Sequence, residues 1–65
     1  MTGKDIRKTR RSMLLTQEKF GKLLGVSKNT VCMWEKDLFE PNFDNQRKLL
    51  ELCKKEKIDI IDIKG

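Results

Sequence analysis

Apolar residues recur at helical spacing along this chain, and the first such stretch, residues 4–14, is also the most basic. A helix through it places Ile6, Thr9 and Met13 on one side, which is predicted to face inward although it is only weakly apolar. We expect residues 1–3, ahead of this helix, to be frayed. Its cations are interpreted either as a solvated surface or as phosphate contacts: Lys4, Arg7, Lys8, Arg10 and Arg11.

Residues 17–24 predict a second helix, because Thr16 can cap its start and Glu18 places a negative charge in its first turn. Gly21 lies beside the apolar face, where a glycine costs about 0.8–1 kcal/mol relative to alanine, so it indicates close packing against another backbone. Gly25 then favours a left-handed helix end. The apolar face, predicted to be core, comprises Phe20, Leu23 and Leu24.

Residues 27–36 predict a third, short helix with two different faces. Ser27 is a candidate N-cap, and Val31 and Trp34 share one side, which we expect to be buried. Within about 140° on the opposite side lie residues suited to contact with a partner: Lys28, Asn29, Cys32, Met33 and Lys36. The pattern therefore predicts one buried face and one contact face.

A loop at residues 37–42, which contains the only proline, separates this helix from a fourth at residues 43–55. The apolar residues of the fourth helix return to one side: Leu49, Leu50, Leu52 and Cys53. Residues 58–65 are rich in isoleucine and are interpreted as a short strand, an extended arm or a final turn.

These elements predict an all-α fold, a compact bundle of four to five short helices. With 65 residues, the chain can bury only about 60% of its unfolded surface, so we expect one domain over residues 1–65 with its core in residues 4–57. We see no internal repeat and no linker between domains.

The charge of the chain favours an anionic partner. Fifteen Lys and Arg against ten Asp and Glu give a net charge of +5, which favours nucleic acid first and a membrane surface second. The basic first helix lacks the Trp, Phe or Leu face of a membrane-surface anchor, and no apolar run is long enough for a span or a secretion signal. We therefore expect a cytoplasmic protein that does not bind membranes.

The residue types needed for catalysis or metal binding are scarce. The chain has no histidine, no paired CxxC and no glycine-rich phosphate loop, so we expect no enzyme activity, no metal and no cofactor. Cys32 and Cys53 are interpreted as free thiols.

The segment QEKFGKLLGVSKNTVCMWEK, residues 17–36, resembles the helix-turn-helix of the Cro/repressor (Xre-like) family of DNA-binding domains. The small residue of that motif is matched by Gly21, its turn glycine by Gly25 and its buried aliphatic residue by Val31. The flanking sequence fits as well, because IRKTR at residues 6–10 is similar to the first helix of the family. The resemblance implies a lambda-repressor-like fold whose second motif helix enters the DNA major groove.

The resemblance also implies which side chains contact DNA. The base-reading positions correspond to Ser27, Lys28, Asn29, Cys32 and Met33, and the phosphate-contacting positions to Gln17 and Lys36. Asn29 suits adenine, Lys28 suits guanine or a phosphate, and Met33 suits a thymine methyl group. Cys32 is interpreted as a small space-filling residue or as a redox-sensitive contact.

Two further positions are implied to form a structural ion pair, namely Arg10 and Glu35. The chain departs from the family pattern at Thr9, where an aliphatic residue is common. It also departs in the loop after Lys36, where Asp37 and Glu40 are unsuited to phosphate.

We therefore expect a sequence-specific DNA-binding transcriptional regulator, a repressor rather than an activator, that binds a pseudo-palindromic operator as a homodimer. The isoleucine-rich tail is hypothesised to help form the dimer. One alternative is an antitoxin-like or phage-encoded regulator with a protein partner, such as a toxin or another regulator. Another is an adaptor that uses the same fold only for protein–protein interaction.

Overall fold

The computed structural model of the chain describes residues 1–55, so the predictions for the tail at residues 58–65 lie outside the described part. Four helices follow one another: α1 (Gly3–Ser12), α2 (Gln17–Leu24), α3 (Lys28–Glu35) and α4 (Phe43–Lys55). No strand occurs among the described residues. The predicted all-α bundle is confirmed, and α2 and α4 have the predicted bounds.

The core lies between the four helices and contains one side chain or more from each. α2 packs most closely against α3, while α1 packs against both α3 and α4. The buried apolar cluster comprises Ile6, Phe20, Leu24, Val31, Trp34 and Leu49. Met13, Leu15, Val26 and Leu52 are partly buried against it.

Leu23 was predicted to be core, and this prediction is wrong because its side chain is 53% exposed. The buried side of α2 is formed by Phe20, Gly21 and Leu24. Successive residues of a helix are 100° apart. Because Gly21 is buried in place of Leu23, the centre of the buried side is rotated by about 50° away from Leu23. The close contact at the glycine therefore decides which leucine is exposed.

The N-terminus of α1 is capped, whereas the sequence predicted that it would be frayed. The Thr2 hydroxyl accepts a hydrogen bond from the Asp5 N–H at 3.3 Å, and Asp5 Oδ2 accepts one from the Thr2 N–H at 2.9 Å. This reciprocal capping box satisfies two N–H groups at the start of the helix. The prediction that residues 1–3 are frayed is therefore wrong. The helix also ends at Ser12, two residues before the predicted end at Leu14, whose φ of 58° is left-handed.

Asp37, in the loop after α3, also holds the start of α1. Its Oδ1 accepts a hydrogen bond from the Gly3 N–H at 2.8 Å. A Cβ at Gly3 would lie 2.6 Å from the carbonyl oxygens of both Trp34 and Glu35, so glycine is required for this close approach of α1 to the end of α3. The acidic charge that departs from the family pattern thus has a structural role at Asp37.

Thr9, the other departure, is completely buried but has hydrogen-bond partners. Its Oγ1 donates to the Asp5 carbonyl oxygen at 2.8 Å and lies 2.9 Å from Cys53 Sγ. A hydroxyl has a single proton, so the Cys53 thiol donates in the second bond. Burial raises the pKa of the Cys53 thiol, which is consistent with a protonated donor. Cys32 and Cys53 are both free, as predicted.

Candidate nucleic-acid interface

The turn between α2 and α3 sets the angle between the two helices. Gly25 ends α2 with a left-handed φ of 79°, as predicted. A Cβ at Gly21 would lie 2.6 Å from the Val26 carbonyl oxygen and 3.2 Å from the Ser27 backbone, so α2 and the chain entering α3 are in direct contact. The Val26 N–H donates to the Gly21 carbonyl at 2.8 Å and closes the turn. The predicted packing role of Gly21 is confirmed.

The rotation of α3 about its axis is fixed by its buried residues. Val31 is fully buried and Trp34 is 3% exposed, so the opposite side of α3 faces outward. Ser27 caps the helix, because its Oγ accepts a hydrogen bond from the Thr30 N–H at 3.1 Å. The burial of Val31 and Trp34 and the capping role of Ser27 are as predicted.

The five residues predicted to read bases all lie on the surface around the start and outer side of α3. Ser27, Lys28 and Asn29 are exposed, while Cys32 and Met33 are half-buried. A hydroxyl, an ammonium group and a carboxamide are therefore presented together by three consecutive residues at the N-terminal end of a helix. This combination can donate to and accept from base edges.

An ion pair joins the end of α3 to α1. Arg10 Nε donates to Glu35 Oε2 at 2.7 Å and Arg10 Nη2 donates to Glu35 Oε1 at 3.2 Å, which is the bidentate geometry of a strong pair. The side chains of Arg10 and Glu35 are only 14% and 6% exposed. The predicted ion pair is confirmed, and it fixes the position of α3 relative to α1.

Gln17, predicted to contact phosphate, also belongs to this cluster. Its Nε2 donates to Glu35 Oε1 at 3.1 Å, a contact that the sequence did not reveal. The carboxylate of Glu35 therefore holds the first residue of α2 as well as α1. A primary amide has two N–H donors, so the bond to Glu35 leaves one donor of Gln17 for another acceptor.

Lys36, the other residue predicted to contact phosphate, is exposed and follows the last residue of α3. It lies at the opposite end of α3 from Ser27, about 13.5 Å away along the helix axis. Because Gln17 donates to Glu35, the residue before Lys36, the structure places the two predicted phosphate contacts near the same end of α3, away from Ser27.

An apolar surface lies beside this interface. The sequence left Phe39 open as an anchor or an exposed contact but did not reveal the exposed apolar residues on either side of it. Leu38 is 67% exposed, Phe39 is 62% exposed and Phe43 is 73% exposed, and we call these three residues the loop patch. The Leu38 N–H donates to the Met33 carbonyl at 3.0 Å, so the loop patch begins directly beside α3. Three large apolar residues within six positions, two in the loop and one at the first residue of α4, were the available signal.

Two other kinds of site are not found in the part of the chain that the structure describes. Residues 1–55 contain no group of three His, Cys, Asp or Glu side chains that could hold a metal ion. None of the four helices is both long and apolar enough to cross a membrane.

Comparison with known proteins gives one match. A family model described as helix-turn-helix matches residues 6–60, which includes all of α2 and α3 and the turn between them. No curated protein and no solved structure matches the chain significantly.

Proposed function

The chain belongs to the Cro/repressor (Xre-like) family of helix-turn-helix proteins, which are DNA-binding regulators rather than enzymes, and from this premise we propose that it is a repressor. In this proposal α3 enters the major groove of a pseudo-palindromic operator and reads its sequence. Repression follows from occupancy, because a protein bound at an operator excludes the polymerase. The protein acts in the cytoplasm on double-stranded DNA and needs no cofactor.

The observation that carries the proposal is that the start of α3 is exposed while the opposite side of the same helix is buried in the core. Ser27, Lys28 and Asn29 are exposed, whereas Val31 and Trp34 are in the core. A major groove about 12 Å wide admits a helix presented in this way. Asn29 can form two hydrogen bonds with adenine, Lys28 can donate to guanine, and Met33 and Cys32 can contact thymine methyl groups farther along α3.

Phosphate contacts near the end of α3 complete the proposed interface. The N-terminus of α2 carries the positive end of the helix dipole, and Gln17 is held there by Glu35. Lys36, the residue after Glu35, supplies a positive charge at the same end of α3. Such contacts fix the register of a protein on DNA without reading sequence.

The proposal includes a homodimer. The described residues extend 29 × 23 × 19 Å, less than the spacing of about 34 Å between half-sites one helical turn apart. One molecule therefore covers one half-site. The loop patch supports self-association, because exposed apolar surface beside α3 would be buried by a second copy bound to the neighbouring half-site.

The test is selection of bound sites from a random duplex pool, followed by titration of the enriched site. Wild type is compared with Asn29→Ala and Lys28→Ala, and with Lys54→Ala as a matched control that removes an equally exposed lysine from α4. We expect a pseudo-palindrome, and Asn29→Ala should lose about 5- to 150-fold discrimination, corresponding to about 1–3 kcal/mol, at one base position. Lys28→Ala should weaken binding at one position if Lys28 reads guanine, and uniformly if it contacts phosphate.

The loop patch also favours a second candidate function, in which the fold binds another protein as an antitoxin-like regulator or an adaptor. Its neighbours Glu40 and Asp44 are acidic and exposed, so this part of the surface does not suit phosphate. The same selection separates the two functions. No enriched site, a weak salt dependence and no effect of Asn29→Ala would favour the protein partner over the operator.

A further inference from the structure

Four cations form a line along the outer side of α1. Lys4, Arg7, Lys8 and Arg11 follow the spacing i, i+3, i+4, i+7 of neighbours on a helix face, and all four are exposed. They surround one shallow depression, to which Asp5 and Ser12 also contribute. We call these four residues the cationic stripe.

The cationic stripe is not neutralised by the rest of the described molecule. Within residues 1–55, none of its four members forms an ion pair with a carboxylate, and the arginine of α1 that does form one is Arg10. Asp5, the acidic residue inside the depression, uses its Oδ2 to accept from the Thr2 N–H. Like charges at this spacing repel one another, and a polyanion would remove that repulsion.

The cationic stripe lies on the side of α1 that faces away from the core. Gly3 and Arg10, on the inner side of α1, make the contacts with the end of α3. The middle of the stripe is about 180° around the helix from the buried residues Ile6 and Thr9, and about 100° from Gly3 and Arg10. The stripe is therefore directed outward from α1. The contacts of α1 with α3 are at Trp34 and Glu35, about 10 Å along α3 from its exposed start at Ser27.

We propose that the cationic stripe binds the phosphates of a second DNA duplex, so that a molecule bound to its operator bridges two DNA segments. The inference rests on the proposed operator binding by α3. From Lys4 to Arg11 the stripe covers about 10 Å of helix, and a duplex carries about six negative charges over that length. A DNA backbone suits the stripe better than a membrane, because the exposed side of α1 lacks the apolar residues that enter a bilayer.

The test uses two duplexes with different labels. The site enriched by selection is attached to beads, and a fluorescent mixed-sequence duplex of about 30 base pairs without that site is added in solution, at about 50 mM and about 200 mM salt. The stripe variant combines Lys4→Gln, Arg7→Gln, Lys8→Gln and Arg11→Gln. The matched control combines Lys22→Gln, Arg47→Gln, Lys54→Gln and Lys55→Gln, which removes the same number of exposed charges from α2 and α4.

We expect wild type and the control to retain the fluorescent duplex on the beads. The stripe variant should retain at least about 10-fold less of this duplex when the same amount of protein is bound to the beads. For wild type, retention should fall by about 100-fold between the two salt concentrations, as expected for four phosphate contacts. Equal retention by the stripe variant, or no retention by wild type, would overturn the inference.

Two further outcomes separate this inference from the proposed function. If the stripe variant loses affinity for the bead-bound site itself while the control does not, the cationic stripe serves the operator complex and bridging is wrong. If selection yields no site, the operator function fails, and the stripe is tested by anisotropy of the fluorescent duplex alone. Weaker binding by the stripe variant than by the control would still support a phosphate-binding stripe, and equal binding would overturn it.

Discussion

Leu14 has the backbone conformation that suits its side chain least. Its φ is 58° and its side chain is 92% exposed, so it has left-handed geometry with little burial to offset the cost. We predict that Leu14→Gly raises the free energy of unfolding by about 0.5–1 kcal/mol, because the relief of about 1–2 kcal/mol of strain exceeds the added freedom of the unfolded chain. Urea denaturation followed by circular dichroism measures this change.

Gly25 provides the reverse control for Leu14. It has a φ of 79°, and a Cβ added there would meet nothing within 4 Å, so Gly25→Ala tests the backbone cost alone. We expect Gly25→Ala to lower the free energy of unfolding by about 1 kcal/mol. A destabilised Leu14→Gly variant together with an unaffected Gly25→Ala variant would contradict this account of both positions.

Cys53 makes the stability of the folded protein depend on pH in the alkaline range. Burial raises the pKa of its thiol, so the unfolded chain ionises at lower pH than the folded protein. The stabilisation is fully present below the unfolded pKa of about 8.5 and is lost as the pH rises toward the raised folded value. We predict that wild type loses stability between about pH 7.5 and about pH 9.5 more steeply than Cys53→Ser, by at most about 1.4 kcal/mol per pH unit.

The serine variant is a suitable reference because its hydroxyl does not titrate in this range and can still donate to Thr9 Oγ1. Parallel pH profiles of urea denaturation for the two proteins would show that Cys53 does not ionise on unfolding as described.

The contact between α1 and the end of α3 depends on Asp37. Its carboxylate accepts from the Gly3 N–H at the positive end of α1, and its own φ is 60°, which asparagine and aspartate tolerate better than alanine does. We predict that Asp37→Ala lowers the free energy of unfolding by about 1–2 kcal/mol and Asp37→Asn by less, since asparagine keeps an acceptor oxygen. Glu40→Ala, an exposed acid of the same loop, is the control and should change stability by less than about 0.5 kcal/mol.

Signals between near neighbours in the sequence were sufficient to predict most elements. Thr16 and Ser27 cap the helices that follow them, Gly25 ends α2, and the side of α3 that carries Val31 and Trp34 is buried. Each of these features depends on residues within about one or two helical turns. The pattern of apolar and capping residues therefore contains the information needed for the helix bounds and for the exposed side of α3.

The features that could not be predicted depend on contacts between distant residues. Asp37 and Gly3 are 34 positions apart, and Thr9 and Cys53 are 44 positions apart. Leu23 is exposed because Gly21 packs against the backbone that enters α3. The periodicity of apolar residues does not show which of these two sides of α2 is buried. Gln17 and Glu35 are also distant in the sequence, so the resemblance implied a DNA contact for Gln17 but did not reveal its hydrogen bond to Glu35.

At the scale of the whole molecule, the proposed dimer predicts a dependence on the spacing of half-sites. Two copies that touch through the loop patch hold their α3 helices at a fixed distance, so one duplex engages both only when its half-sites lie on the same side, about 34 Å apart. Inserting about five base pairs turns one half-site to the opposite side of the duplex. We predict that wild type loses about 100-fold in affinity for this altered site, because the gain from binding two linked half-sites is lost.

The double variant Phe39→Ser/Phe43→Ser should bind the original site more weakly and should be indifferent to the insertion, because its copies bind each half-site independently. Leu23→Ser removes an exposed apolar residue from α2 and is the control, which should respond to the insertion as wild type does. Equal affinity of wild type for both sites would mean that each molecule binds alone. A double variant that still responds to the insertion would instead place the dimer contact outside the loop patch, and the tail at residues 58–65 would be the next segment to change.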